Sequence, residues 1–118
     1  YVCIEALNSQ DGKDLACIAE MYFLDKDGSR LSREPWIVKY ADSEDVAHVN
    51  RSADKTFDLQ ESTYWSTEKG SPYPHTIVID LGASHALTGF QCLPRMESEV
   101  PGGIKDFKIY VKGENFKY

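Results

Sequence analysis

A run of oxygen-bearing side chains lies near the middle of the sequence. These are Asp58, Gln60, Glu61, Ser62 and Thr63. Tyr64 and Trp65 follow directly, and a tryptophan packed in a core would anchor such a loop. Oxygen ligands on an anchored loop are what hard cations such as calcium bind. The same residue types also build metal-free turns in which Asp and Ser side chains cap backbone N–H groups. The spacing alone leaves both interpretations open.

Residues that could support catalysis are scattered along the chain rather than grouped. His48, His75 and His85 belong to no metal-binding pattern, and neither a Gly-x-Ser-x-Gly elbow nor a phosphate-binding glycine loop occurs. Acidic residues are numerous, so counting alone allows a carboxylate pair for glycoside hydrolysis. Most of them, however, fall in turns and on polar strand faces. The sequence therefore favours a binding module over an enzyme.

The overall charge limits the classes of partner. The 118 residues include 13 Lys and Arg against 19 Asp and Glu, which gives a formal net charge of −6. Nucleic acids and anionic membranes are bound through surplus cations, so this balance argues against both. No apolar run reaches the roughly 20 residues of a membrane-spanning helix. We expect a single domain over residues 1–118, cut from a longer protein.

Short apolar runs separated by Gly, Pro and Asp turns predict the elements that position these residues. The clearest is 76–81, where Ile77, Ile79 and Leu81 point to one side. Further strands are predicted over residues 1–7, 17–24, 36–41, 85–94 and 104–111. No segment shows a sustained helical period. The pattern predicts an all-β sandwich.

Taken in order, these segments resemble the coagulation factor 5/8 type C, or discoidin-like, domains. Within that family they are most similar to the family 32 carbohydrate-binding modules of bacterial glycan-degrading proteins. The resemblance rests on the segments Ile18–Met21, Trp36–Glu44, Phe57–Thr67, Pro74–Gly82, Gly89–Arg95 and Gly103–Val111. It implies an all-β jelly-roll, that is, a galactose-binding-domain-like β-sandwich.

The order of the segments departs from the family at the N-terminus. The hairpin formed by Tyr1–Leu7 and Cys17–Leu24 is similar to what usually closes such a domain, yet here it comes first. Either the domain is circularly permuted, or the hairpin is the tail of a preceding copy. The short connection to the strand at Trp36 favours permutation. The strands that normally follow the segment ending at Val111 would then be missing beyond Tyr118, which would truncate the domain and leave an open sheet edge.

The resemblance also implies a structural calcium ion under the loops. Its ligands would be Asp58, Thr63, Gln60 and Glu20, together with nearby backbone carbonyls. The family's Asp-Gly-Asp reads Asp58-Leu59-Gln60 here, so Gln60 brings an oxygen without charge. Leu59 resists the positive φ that glycine permits. We expect the ion to offset the repulsion between Asp58 and Glu20 and to tie the hairpin to the central loop.

For carbohydrate, the resemblance implies a site on the loop surface that includes Arg95, Ser66, Tyr73 and Glu97. Galactose-binding members have a His at the position of Ser66, and their Asn and aromatic contacts are also replaced here. Arg95 is the one usual contact that remains. It either donates hydrogen bonds to a glycan or pairs with Glu97 or Glu99 at the surface. The two tryptophans are expected in the core rather than in the site.

Together these features predict a non-catalytic carbohydrate-binding module, an accessory domain that targets a covalently linked glycoside hydrolase or similar bacterial protein to glycans. The alternative is a structural or protein-interaction module with a degenerate sugar site, which the three replaced contacts favour. Binding to membrane lipid is the third hypothesis. It requires exposed apolar residues with basic neighbours, and the net charge of −6 opposes it. The expected location is secreted, periplasmic or on the cell surface.

Overall fold

The apolar runs of the sequence become short strands joined by turns. The computed structural model describes residues 1–10, 15–93 and 103–117. The elements in this part of the chain are β1 (Val2–Ala6), β2 (Cys17–Ile18), β3 (Glu20–Leu24), β4 (Ile37–Ala41), a 3-10 helix (Ala53–Phe57), β5 (Trp65–Ser66), β6 (His75–Asp80), β7 (Gly89–Leu93) and β8 (Phe107–Val111). The all-β prediction is confirmed.

The main sheet has four antiparallel strands in the order β4, β6, β1, β8. Strand β1 lies in the interior of this sheet, where Cys3 faces Val78 on one side and Tyr110 on the other. The N-terminal segment is therefore an integral part of the fold. Such pairing within the chain is what the permuted order requires.

Two smaller sheets, β3 with β7 and β2 with β5, share a core with the main sheet. Ile77 and Ile79 of β6 are 1% and 0% exposed, as their alternation predicted. Trp36 and Trp65 are also buried, which confirms that both belong to the core. Full burial of one such large apolar side chain contributes about 1.5–3 kcal/mol relative to leaving it in water.

Strand β8 ends the main sheet, and among the described residues no strand pairs with its outer edge. Phe107 and Val111 of this strand are 47% and 60% exposed. An apolar groove of about 240 Å³ is lined by residues of β7 and β8, including Phe90, whose ring lies 5.5 Å from that of Phe107. Among the described residues, β8 is thus one of the two edge strands of this sheet, and β4 is the other.

Candidate functional site

Three oxygen-bearing groups of the central loop meet just after the 3-10 helix. The hydroxyl oxygen of Thr63 lies 2.5 Å from Oδ2 of Asp58 and 3.0 Å from the backbone carbonyl oxygen of Gln60. A hydroxyl has one proton, so it can donate to only one of these two acceptors at a time. Asp58 Oδ1 accepts the backbone N–H of Gln60 at 3.1 Å, which closes the turn. The loop therefore gathers a carboxylate, a hydroxyl and a carbonyl around one point.

Leu59 adopts a left-handed backbone conformation in this turn, with φ of 67°. It is the one non-glycine residue with positive φ in the described chain. Its side chain is 66% exposed, so it avoids a clash with the protein, but the conformation itself costs about 1–2 kcal/mol. The expected resistance of leucine to positive φ therefore does not prevent the turn. The tight geometry that places Asp58 and Gln60 is retained at a cost in stability.

Glu20 lies beneath this loop and is 1% exposed. Arg33 donates a hydrogen bond from Nη1 to Oε2 of Glu20, whereas Oε1 is buried and has no hydrogen-bond partner among the described residues. Burial raises the pKa of the Glu20 carboxyl, Arg33 opposes this rise, and the charges of Asp58 and Glu61 add to it. A buried oxygen without a partner is costly. Oε1 is therefore an atom that a bound cation would stabilise.

These residues fit a calcium ion, partly through atoms other than those predicted. The described residues contain no group of three His, Cys, Asp or Glu side chains placed to hold a metal. A calcium site here would combine the carboxylates of Asp58 and Glu20 with neutral oxygens, namely the Thr63 hydroxyl and the side chain or carbonyl of Gln60. The Gln60 side chain is exposed and its backbone carbonyl accepts the Thr63 hydroxyl, so this carbonyl is available beside the predicted side-chain oxygen. Bound calcium would supply positive charge among these oxygens.

The predicted sugar contacts lie in different environments. Arg95 and Glu97 fall outside the described residues, as does Glu99. Ser66 is 5% exposed, and its hydroxyl donates to the carbonyl of Thr67 at 3.1 Å. Serine is too short to reach the surface from this buried strand. The position of Ser66 therefore gives no support to its predicted sugar contact.

Tyr73 is not the exposed aromatic that its place between two prolines suggested. Its ring is half-buried, packs against the core and makes an edge contact with His75 at 4.6 Å between centroids. Its hydroxyl donates to the carbonyl of Leu15 at 2.8 Å. The expectation of an exposed platform is thus corrected, because both the ring and the hydroxyl are used within the fold.

The sequence reasoning missed a stacked pair beside Ser66. The guanidinium carbon of Arg51 lies 4.0 Å from the centre of the Tyr64 ring. The Arg51 carbonyl accepts the backbone N–H of Ser66 at 3.1 Å, so the arginine is fixed to β5. The spacing of the two residues in the sequence does not predict this contact. It forms because the loop before the 3-10 helix returns to β5. Arg51 thus brings a cation beside Ser66.

The fold and its loops define a β-sandwich binding module. The model of the F5/8 type C domain matches residues 39–118, and the chain belongs to this family. The match begins within β4, so residues 1–38 precede it even though they supply β1, β2 and β3 of the same fold. The hairpin that comes first in this chain therefore lies outside the matched residues, as its unusual position in the sequence predicts.

Two curated relatives are similar to this chain over a small part of their own length. A sialidase of Micromonospora viridifaciens is 34% identical over 73 residues, which cover 58% of this chain and 11% of the relative. A galactose oxidase of Gibberella zeae is 30% identical over 91 residues, which cover 74% of this chain and 13% of the relative. The chain thus spans a small part of each relative. F5/8 type C domains are a non-catalytic, carbohydrate-binding type of module found in both.

Within the described residues, no helix is both long enough and apolar enough to cross a membrane.

Proposed function

We propose that this chain is a non-catalytic carbohydrate-binding module that holds a linked glycan-degrading enzyme at its substrate. The observation that carries the proposal is the match of this chain to only 11% and 13% of a sialidase and a galactose oxidase. A small module shared by two different enzymes supplies a property that both use, and binding to glycans is such a property. The linked enzyme and a secreted, periplasmic or cell-surface location in a bacterium are parts of this proposal.

Calcium has a structural role in the proposed module. The buried Oε1 of Glu20 and the convergence of Asp58, Thr63 and the Gln60 carbonyl support a cation at this position. The ion would join the hairpin that contains Glu20 to the central loop. Arg33 already supplies part of the positive charge, so the fold would persist without calcium at reduced stability.

A glycan array, probed once with calcium and once with EDTA, tests the function directly. We expect wild-type protein to bind a defined set of glycans and Arg95→Ala to lose them, since Arg95 is the predicted contact. Binding that is lost only in EDTA would connect calcium to the site. Silence on the array from protein shown to be folded by circular dichroism would contradict the proposal. The exposed apolar edge at β8 would then favour a protein-interaction module.

A further inference from the structure

We infer that Arg51, stacked on Tyr64, recognises the carboxylate of an acidic sugar. The inference rests on the proposed glycan-binding function and names the class of ligand that this function would select. It assigns a contact outside Arg95, Ser66, Tyr73 and Glu97.

The backbone of Arg51 is fixed from two directions. Its N–H donates to the carbonyl of Asp45 at 2.9 Å, and its carbonyl accepts the N–H of Ser66 at 3.1 Å. The N–H of Asp45 in turn donates to the carbonyl of Ser66 at 2.8 Å. Two of these bonds tie the ends of the 45–51 loop to the buried strand β5, and the third joins the two ends to each other. A side chain on such a frame loses little conformational entropy when it binds a ligand.

The guanidinium of Arg51 has no acceptor within the described residues, unlike the other two arginines there. Arg33 donates to Glu20, and Arg30 donates to the side-chain oxygen of Gln91 at 3.0 Å. For Arg51, the structure shows only the stacking on Tyr64 and no ion pair in the described chain. An arginine without a carboxylate is unexpected in a chain with 19 acidic and 13 basic residues.

Two acidic side chains at the start of this loop contact backbone N–H groups. Glu44 Oε2 accepts the backbone N–H of Ala53 at 2.6 Å, and Asp45 Oδ1 lies 3.4 Å from the backbone nitrogen of Ala47. These contacts shape the loop and its junction with the 3-10 helix. Neither carboxylate forms an ion pair with Arg51, so among the described residues its guanidinium donors remain for a ligand.

The chemistry of a stacked guanidinium favours a carboxylate. Its planar set of N–H donors matches two carboxylate oxygens, and such charge-assisted pairs are stronger than neutral hydrogen bonds. Tyr64 is 8% exposed and covers one face of the group, which leaves the edge donors for a ligand. Val46 and Val49 on the same loop are 59% and 55% exposed and offer apolar contact to the C–H face of a sugar ring.

The test compares sugars that differ only in the acidic group. Galacturonic acid and galactose differ at one carbon, and oligomers of each are titrated calorimetrically against wild type, Arg51→Gln and Arg30→Gln. Arg30→Gln is the matched control, because Arg30 also stacks on a tyrosine and the charge change is the same. We expect wild type to bind the acidic oligomer more tightly than the neutral one. Arg51→Gln should bind the acidic oligomer about tenfold more weakly or worse, because it loses one charge-assisted pair. Arg30→Gln should change it less than about twofold.

Salt and a conservative variant separate direct contact from a change in folding. Raising the NaCl concentration should weaken acidic binding by wild type and leave Arg51→Gln almost unaffected. Arg51→Lys keeps the positive charge but lacks the planar pair of N–H donors. Its affinity should therefore lie between those of Arg51→Gln and wild type. Equal binding of both oligomers by wild type, or equal losses in Arg51→Gln and Arg30→Gln, would overturn the inference and leave the glycan function intact. Absence of binding to any array glycan would overturn both.

Discussion

Arg33 and Glu20 form an ion pair that is almost withdrawn from water, with side chains 9% and 1% exposed. The pair joins β3 to the loop before β4 and lies under the oxygen cluster of the central loop. Removing one partner of such a pair leaves a buried charge uncompensated, at a cost of about 3–5 kcal/mol. Arg33→Met should therefore destabilise the fold more than the exposed Arg30→Met in urea unfolding.

The raised pKa of Glu20 predicts how stability depends on pH. Because burial favours the protonated form, the folded state holds this proton above the ordinary Glu value of 4.5 that applies when the chain is unfolded. The free energy of unfolding should then fall as pH rises from that value through the raised pKa. Glu20→Gln should remove this part of the slope in EDTA. A slope identical in wild type and Glu20→Gln would contradict the assignment.

Calcium should raise the melting temperature, and Asp58→Asn should abolish most of that increase. A ligand that binds only the folded state at 100 times its Kd stabilises by about 2.7 kcal/mol. Asp54→Asn is the control, because Asp54 is an exposed residue of the neighbouring 3-10 helix whose carboxylate accepts the Ser52 hydroxyl and lies near Lys55. Equal calcium shifts in the two variants, measured by differential scanning fluorimetry, would rule out the proposed site.

Leu59→Gly should stabilise the protein despite adding a glycine. The exposed leucine loses little packing, and glycine removes about 1–2 kcal/mol of left-handed strain at a smaller cost in unfolded-state entropy. Ala47→Gly, at an exposed loop residue without positive φ, should instead destabilise by about 0.5–1 kcal/mol. Urea unfolding of both variants measures the difference. A loss of stability in Leu59→Gly would show that the turn is not strained.

His75 and Asp42 should show strong energetic coupling. His75 is buried, with Nδ1 at 2.9 Å from Oδ2 of Asp42 and Nε2 at 3.1 Å from the carbonyl oxygen of Ser71. A double-mutant cycle with His75→Gln and Asp42→Asn should give about 1–3 kcal/mol. The exposed Lys55–Asp54 pair, 3.7 Å apart, should give less than about 1 kcal/mol. Similar coupling energies for both pairs would show that the buried His75–Asp42 contact contributes no more to stability than a surface ion pair.

Tyr73→Phe should leave glycan binding unchanged and lower stability. The lost hydroxyl donates to the Leu15 carbonyl, so the cost should be about 1 kcal/mol. Calorimetric titration with an array-selected glycan and urea unfolding measure the two effects. A selective loss of binding with unchanged stability would restore the original prediction that Tyr73 contacts the sugar.

Features that depend on neighbours in the chain could be predicted from the sequence. The alternation of Ile77, Ile79 and Leu81 places all three in the core, because a strand turns successive side chains to opposite faces. The oxygen cluster of Asp58 and Thr63 was also predictable, since one turn brings these residues together. The all-β class could be predicted for the same reason, because short apolar runs and turn residues are local features of the sequence.

Contacts between distant segments were decided only by the tertiary structure. The pairing of Glu20 with Arg33, the stacking of Arg51 on Tyr64 and the burial of Ser66 each depend on how separate strands and loops meet. The spacing of these residues along the sequence does not predict how close they lie in the folded chain. The sequence alone therefore determined the fold class and the oxygen-rich loop, whereas packing decided which polar side chains are used inside the fold and which remain exposed to solvent.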